Sequence, residues 1–382
     1  MGVQENDLFF LCGQSDLQGK GIVQHAGDLL RQTGAAIQHI RTIVEDLDNQ
    51  LSDIAKLVVY YIPDERVEQS RYLAHIAETL AVSPLPAITL VPLSNFFYPG
   101  LMVEIDAFGF DSKTGAVNHR LHIPTEGMDF SAAVRQGGVT ITGAVMPFDH
   151  RGRVLYSDDA VRQSHLVFEK MSDLLKAMNA SRQDIVKINN WFVGADNAEQ
   201  WAETAKIRAS WYPDPGPVAT GMPLYTMMPN GATIQTECWV MQGLDNESLP
   251  RQHCWPGNHW NWPVYLPFKH GLRCGRMVFV GGQVSMDAAA NVVDMGDMGK
   301  QAKASMENLN KVLAGLGADF ADVIKMNSFY KGGSNPEELH ANLDIRKSYF
   351  SLPGPASTGI PLDNLCYPGM MTEFEAIAVV AE

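Results

Sequence analysis

A chain that carries one segment three times is constrained to fold as three like units, and this chain does so over nearly its full length. LPAITLVPL, GPVATGMPL and GPASTGIPL place Pro86, Pro217 and Pro355 in one frame, at separations of 131 and 138. FFLCGQ, TITGAV and VFVGGQ align Gly13, Gly143 and Gly282, at separations of 130 and 139. Gln32, Gln163 and Gln301 open three helical patterns. Each is followed 21 residues later by an acid-apolar-x-Lys strand entry: Asp53 to Lys56, Asp184 to Lys187 and Asp322 to Lys325. The units run over 1–112, 128–242 and 264–382, with 113–127 and 243–263 as linkers.

The third unit shows the periodicity best. RMVFVGGQVSMD reads as a strand pair with glycines at its bend. MGKQAKASMENLNKVLAGLG has a helical stripe at Met306, Leu309, Val312 and Leu313, which Gly315 and Gly317 end. DVIKMNSFYK is a strand, NPEELHANLDIRKSYF a helix capped by Asn335 and begun by Pro336, and ASTGIPL and MMTEFEAIAVVA are closing strands. The order β-β-α-β-α-β-β predicts an α+β layer with two helices on one sheet face. Gly13 lies so near Met1 that the first unit has no room for its first strand. The bare sheet faces need cover, and three copies in one chain can bury them against one another.

Composition limits the partners. Of 382 residues, 46% are hydrophobic and 19% charged, and the net charge is −14. With no basic tract, nucleic acid and anionic membranes are excluded as partners on electrostatic grounds. No apolar run approaches a membrane span, and the first residues lack the pattern of a secretory signal. The five cysteines are scattered, with no CxxC pair. That usage predicts a reducing, cytoplasmic setting with free thiols and no zinc site. His253, Cys254, His259 and His270 match no common metal spacing, and their intervening tryptophans read as packing.

The third unit, from LPFKHGLRCGRMVFVGGQVSMD to TEFEAIAVV, resembles the reactive-intermediate deaminases (RidA, also called YjgF), and the first two units do so more weakly. The resemblance implies a pseudo-trimer: a central sheet barrel, helices outside, and clefts between neighbouring units. It also implies cofactor-free hydrolysis of an imine or enamine, with a carboxylate activating water. The family's acid maps to Glu104, Gln235 and Glu373, so two units keep it as the catalytic candidate. A solvated carboxylate on an edge strand is the alternative for each. A second acid maps to Asp106, Glu237 and Glu375, on the same sheet face by strand alternation.

The family's substrate-binding positions map to Cys12-Gly13, Thr142-Gly143 and Gly281-Gly282, to Thr89, Thr220 and Thr358, and to Phe130 and Phe268. The family arginine has no counterpart, because Ile88, Ala219 and Ser357 fill its position. Asn95 and Asn364, with Tyr98 and Tyr367, offer neutral donors instead, or merely form turns before Pro-Gly. Cys12 is a nucleophile candidate or inert filling. Lys269 is a candidate replacement cation or one member of a surface pair.

Without an arginine, a small anionic imine should be a poor substrate, since its carboxylate would meet Glu104 or Glu373 unscreened. The expected function is therefore a C–N hydrolase or deaminase of an uncharged imine, enamine or related molecule. The expected state is a monomeric pseudo-trimer or weak higher oligomer. The alternatives are a non-catalytic small-molecule-binding or stress-response protein of the same fold, and a cyclic amide hydrolase.

Overall fold

The computed structural model describes residues 1–19, 21–115, 120–125, 128–194, 198–333 and 335–381. Among the described residues six α-helices form. They are α1 (Leu29–Asp46), α2 (Gln69–Leu80), α3 (Ala160–Ala177), α4 (Ala198–Trp211), α5 (Met298–Gly315) and α6 (Pro336–Lys347). Asp28, Asp159 and Asp297 cap the three long helices by accepting the N–H groups of Arg31, Arg162 and Lys300. Asn335 caps α6, with Pro336 in its first turn.

Three central strands, Ile54–Tyr61, Ile185–Val193 and Val323–Lys331, are surrounded alike. Each pairs in parallel with the strand after its second helix: Leu85–Pro92, Val218–Leu224 and Ala356–Leu362. Each pairs antiparallel with the strand that follows: Val103–Phe110, Ile234–Met241 and Thr372–Val379. The glutamine landmark has a structural reason. Fully buried Gln32, Gln163 and Gln301 each donate to a turn carbonyl, of Gly100, Gly231 or Gly369, at 2.7 Å. Each also accepts the N–H of Met102, Thr233 or Met371, tying the first helix to the last strand.

The fold is α+β, with a curled, partly barrel-like sheet and the helices packed outside it. Leu85–Pro92 pairs in parallel with Met128–Gln136, which joins strands of the first two units into one sheet, twelve strands among the described residues; a second sheet has six. The Gly216 N–H donates to the Pro267 carbonyl (2.8 Å) and the Lys269 N–H to that of Pro217 (3.2 Å) across the next seam. The Gly13 N–H donates to Thr358 Oγ1 (2.9 Å) across the last, so the ring closes. Each helix pair covers its own apolar cluster. The opposite sheet faces meet in a shared interior, where Trp191 packs edge-on against both Tyr60 and Phe329.

Three expectations change. A strand does fit before Gly13: Gly2–Glu5 pairs with Leu8–Leu11 through a two-residue turn, which Asn6 makes possible with φ at 55°. The linkers are not merely connections, because Leu121–Thr125 and Arg251–Cys254 add edge strands; positions 116–119 and 126–127 of the first lie outside the described residues. The glycine register slips by one in the second unit. Gly143 and Gly281 both approach a backbone carbonyl on the parallel strand, of Ile88 and Ala219. Gly13 and Gly282 instead lie under Glu104 and Glu373, a place that Ala144 takes in the second unit. With that shift the bend keeps the 131 and 138 spacing of the strands.

Candidate active site

Strand alternation sends Lys56, Lys187 and Lys325 into the interior, where each meets an acid from the next segment of chain. Lys56 pairs with Glu237 at 2.8 Å, Lys187 with Glu375 at 2.6 Å and Lys325 with Asp106 at 2.7 Å. The threonines serve this ring. Thr89 hydrogen-bonds Lys56 Nζ (2.5 Å) and Glu237. Thr358 accepts from Lys325 Nζ (2.8 Å) and donates to Asp106 (2.5 Å). Burial pushes the Lys56 ammonium down against the pull of Glu237, and pushes the Asp106 carboxyl up against Lys325. Burial also acts upward on Glu375, but Lys187, Thr220 and Asn327 more than offset it and hold that carboxyl below its ordinary value. The second acids therefore hold the three seams together.

Glu104 and Glu373 sit two residues before two of those acids, at clefts between neighbouring segments, and are 5% and 7% exposed. A Cβ on Gly13 or Gly282 would collide with the carboxylate above it, so glycine makes room for the acid. Burial raises each carboxyl to about 8, and the neighbouring Asp106 or Glu375 adds to the rise. Lys325 and Arg346 pull the first back down, and Lys187 the second. A carboxyl raised to that level favours the protonated form at neutral pH.

The positive charge absent from the strands comes from the helices. Arg346 on α6 is 3% exposed and donates from Nη1 to Ser357 Oγ at 2.7 Å, so its guanidinium ends where the family arginine would begin. Arg208 on α4, also 3% exposed, lies over the Phe192 ring, 5.6 Å from its centroid. Burial lowers both guanidinium groups, Arg346 to about 10. Gly359 and Gly221 give them space: a Cβ there would stand 3.3 Å from Arg346 Nη2 and 3.8 Å from Arg208 Nη1. Each arginine stands eleven residues before Ser357 or Ala219, a repeated interval that was visible in the sequence.

The bends are braced. Gln14 Nε2 donates to the carbonyls of Cys12 (2.8 Å) and Gly13 (3.2 Å), and Gln283 Nε2 to those of Gly281 and Gly282 (both 3.1 Å). Gln283 Oε1 in turn accepts from His259 Nε2 (2.8 Å) and Trp260 Nε1 (3.3 Å), which gives the histidine-tryptophan linker a structural job. Cys12 is half-buried, and its sulfur accepts the Ser357 N–H at 3.3 Å. Tyr98 and Tyr367 reach the two clefts: Tyr98 bonds His340 on the α6 side, and burial, with Cys366 adding, pushes the Tyr367 hydroxyl up while Arg208 pulls it down.

The third cleft has lost every part of this set. Gln235 replaces the acid and turns its amide to the Leu90 carbonyl (2.9 Å). Ala77 stands where the arginine would be, Leu90 fills the glycine's place, and Ala144, Val145 and Pro229 replace the glycine, glutamine and tyrosine. The remaining candidates lie elsewhere. Phe130 and Phe268 are buried in the clusters under α1 and α3. Thr142 Oγ1 accepts the Cys238 N–H (2.9 Å). Asn95 contacts Ser94 and Asp363, and Asn364 accepts from Lys331 Nζ. Lys269 is paired with Asp214 at 3.0 Å and does not replace the arginine. Among the described residues, no three His, Cys, Asp or Glu side chains gather as metal ligands would, and no helix is long and apolar enough to cross a membrane.

A curled sheet with acid-bearing clefts at its seams is the architecture that the RidA resemblance implies, and comparison with known proteins supplies the family. The Endoribonuclease L-PSP family matches residues 122–241 and 262–380, more than half of the chain, and the chain belongs to it. A RutC family protein of Pyrococcus abyssi is 27% identical over 112 residues, which is 29% of this chain and 85% of that protein. A 2-iminobutanoate/2-iminopropanoate deaminase of Dermatophagoides farinae is 27% identical over 114 residues, 30% of this chain and 86% of its own. Protein DfrA of Myxococcus xanthus is 32% identical over 105 residues, 28% of this chain and 77% of that protein. A chorismatase crystal structure shares the fold over 86% of this chain and 93% of its own, at a TM-score of 0.60 and 13% identity.

Proposed function

We propose that the protein is a cofactor-independent C–N hydrolase of the deaminase type. In this reading it is a covalent pseudo-trimer of units 1–112, 128–242 and 264–382 that works at two of its three clefts. The observation that carries the reading is the joint loss in the third cleft. Acid, arginine, both glycines, glutamine and tyrosine are present together at Glu104 and Glu373 and absent together at Gln235. Parts that only supported the fold would have no reason to disappear as a set from one seam of a ring whose lysine–acid pairs all persist.

The substrate is a small imine or enamine carrying a carboxylate, which Arg346 or Arg208 binds. This reading differs from the expectation of an uncharged substrate, because the helix arginines Arg346 and Arg208 supply a cation beside each acid. The protonated Glu104 or Glu373 gives its proton to the enamine carbon or imine nitrogen. The resulting carboxylate takes a proton from the water that attacks the C=N carbon. The same proton then goes to the amine of the tetrahedral adduct, ammonia leaves, and the adduct hydroxyl returns its proton to the carboxylate as the C–O bond becomes the product carbonyl. The relatives named as 2-iminobutanoate/2-iminopropanoate deaminases fit this chemistry.

Ammonia release from 2-iminobutanoate and from an uncharged imine of similar size tests the proposal. The acid should be preferred, and Arg208→Leu with Arg346→Leu should raise its KM at least tenfold while leaving the uncharged imine unaffected. Wild-type preference for the uncharged imine would refute the assignment of the arginines.

A further inference from the structure

The bend under Glu373 is held from behind by a closed circuit of hydrogen bonds. Gln283 Nε2 donates to the Gly281 and Gly282 carbonyls (both 3.1 Å), and since a carbonyl only accepts, the amide oxygen must face the other way. There Oε1 accepts from His259 Nε2 (2.8 Å) and Trp260 Nε1 (3.3 Å). The Trp260 carbonyl accepts from His270 Nε2 (3.0 Å), and the His270 carbonyl accepts the Gly281 N–H (3.0 Å), which returns the circuit to the bend. All four side chains are at most 4% exposed, and the His270 ring packs among Trp255, Trp260 and Trp262 at centroid distances of 4.5, 4.5 and 5.1 Å. Burial disfavours the charged form of both imidazoles and lowers His270 to about 2. The arrangement has a cost. With its proton on Nε2, His259 leaves Nδ1 buried and without a partner among the described residues. An apolar side chain would fill the space without that loss, so the imidazole is kept for the bond that it donates.

The other bends have less behind them. Gln14 makes the two carbonyl bonds, but it is half-buried and its Oε1 accepts from no described residue. Met1 and Ala132 supply the carbonyls that correspond to that of His270, accepting from Cys12 and Gly143 at 3.0 and 2.7 Å, and neither has a ring to anchor it. At the seam without an acid, Val145 replaces the glutamine. We infer that His259 and Trp260 are positioning residues of the Glu373 cleft: through the Gln283 amide they hold the Gly281–Gly282 bend where it seats the Glu373 carboxylate. The inference rests on the reading of Glu373 as the acid of a working cleft. A Cβ on Gly282 would collide with that carboxylate, so a small movement of the bend displaces the acid or opens the space around it.

Two readouts test this, and only one needs turnover. In a Glu104→Gln background, which leaves the Glu373 cleft alone at work, His259→Ala should lower kcat on 2-iminobutanoate about tenfold with KM unchanged, since Arg208 is untouched. His259→Gln, whose Nε2 can donate in the same place, should restore it. In a Glu373→Gln background, His259→Ala should change neither constant. The second readout is a carbon-13 NMR titration of the glutamate carboxyls, with the Glu373 signal identified by its loss in Glu373→Gln. His259→Ala should admit water to the acid and weaken its proton binding about tenfold, while Glu104 and the His259→Gln variant titrate as in the wild type. Should His259→Ala prevent folding, Trp260→Phe, which keeps a ring in the core and removes the indole N–H, gives the same comparison. Equal losses at both clefts, an unmoved Glu373 titration, or a His259→Gln variant that behaves as His259→Ala does would each overturn the inference. A shifted titration in a protein that releases no ammonia would uphold the positioning and refute only the hydrolytic reading.

Discussion

Burial raises the Glu104 and Glu373 carboxyls, and that rise has a consequence for stability. Each carboxyl rises from an ordinary 4.5 to about 8 in the folded chain. Between those values the unfolded chain gives up a proton that the folded chain retains, so stability falls as pH rises from 4.5 and levels off above 8. The charged form is the costly one. Glu104→Gln and Glu373→Gln should therefore raise Tm at pH 9, by an amount corresponding to a few kcal/mol on the order of magnitude of such shifts, and change little at pH 4. Thermal melts at the two pH values check it; equal effects would mean that the carboxyls are ionised at neutrality. On an enamine substrate, kcat/KM should fall above about pH 8, as the proton donor is lost.

At the scale of elements, the bend and the second helix of each unit decide which seam is equipped. Gly13→Ala and Gly282→Ala would push the carboxylate off its seat, and each should cut turnover at its own cleft by roughly 100-fold, while Ala144→Gly changes nothing. Substrate titrations of the three variants check this. The sequence made the elements legible, since apolar stripes, Asp caps and the lysine spacing of 131 and 138 all report local geometry. The site was half legible. The acids followed from strand position, but the arginines moved to helices, where a charged residue reads as an exposed face. Their eleven-residue interval to Ala219 and Ser357 was the available signal. Matching glycine to glycine put Gly143 opposite Gly13, although the contact with the acid defines that place and Ala144 occupies it. The threonines looked like cleft residues because only the folded ring reveals the lysine and acid that engage them.

Across the whole molecule, the buried lysine–acid ring joins the three seams. Lys325→Met leaves Asp106 buried and unpaired, at a cost of about 3–5 kcal/mol. Adding Asp106→Leu should recover most of that loss, because the desolvation of both charges disappears with the pair. Denaturant titration checks both variants. A single transition that shifts as a whole is expected, since each pair ties neighbouring parts of one closed ring.

The central claim is that two clefts, and not three or none, carry the chemistry. Its most direct measurement is ammonia release by Glu104→Gln, Glu373→Gln and the double variant, on mixed imines generated from amino acids. Each single variant should keep part of the turnover, and the double should fall at least 100-fold although it is folded. Turnover that survives in the double variant, or that disappears in either single one for every imine, would contradict the account.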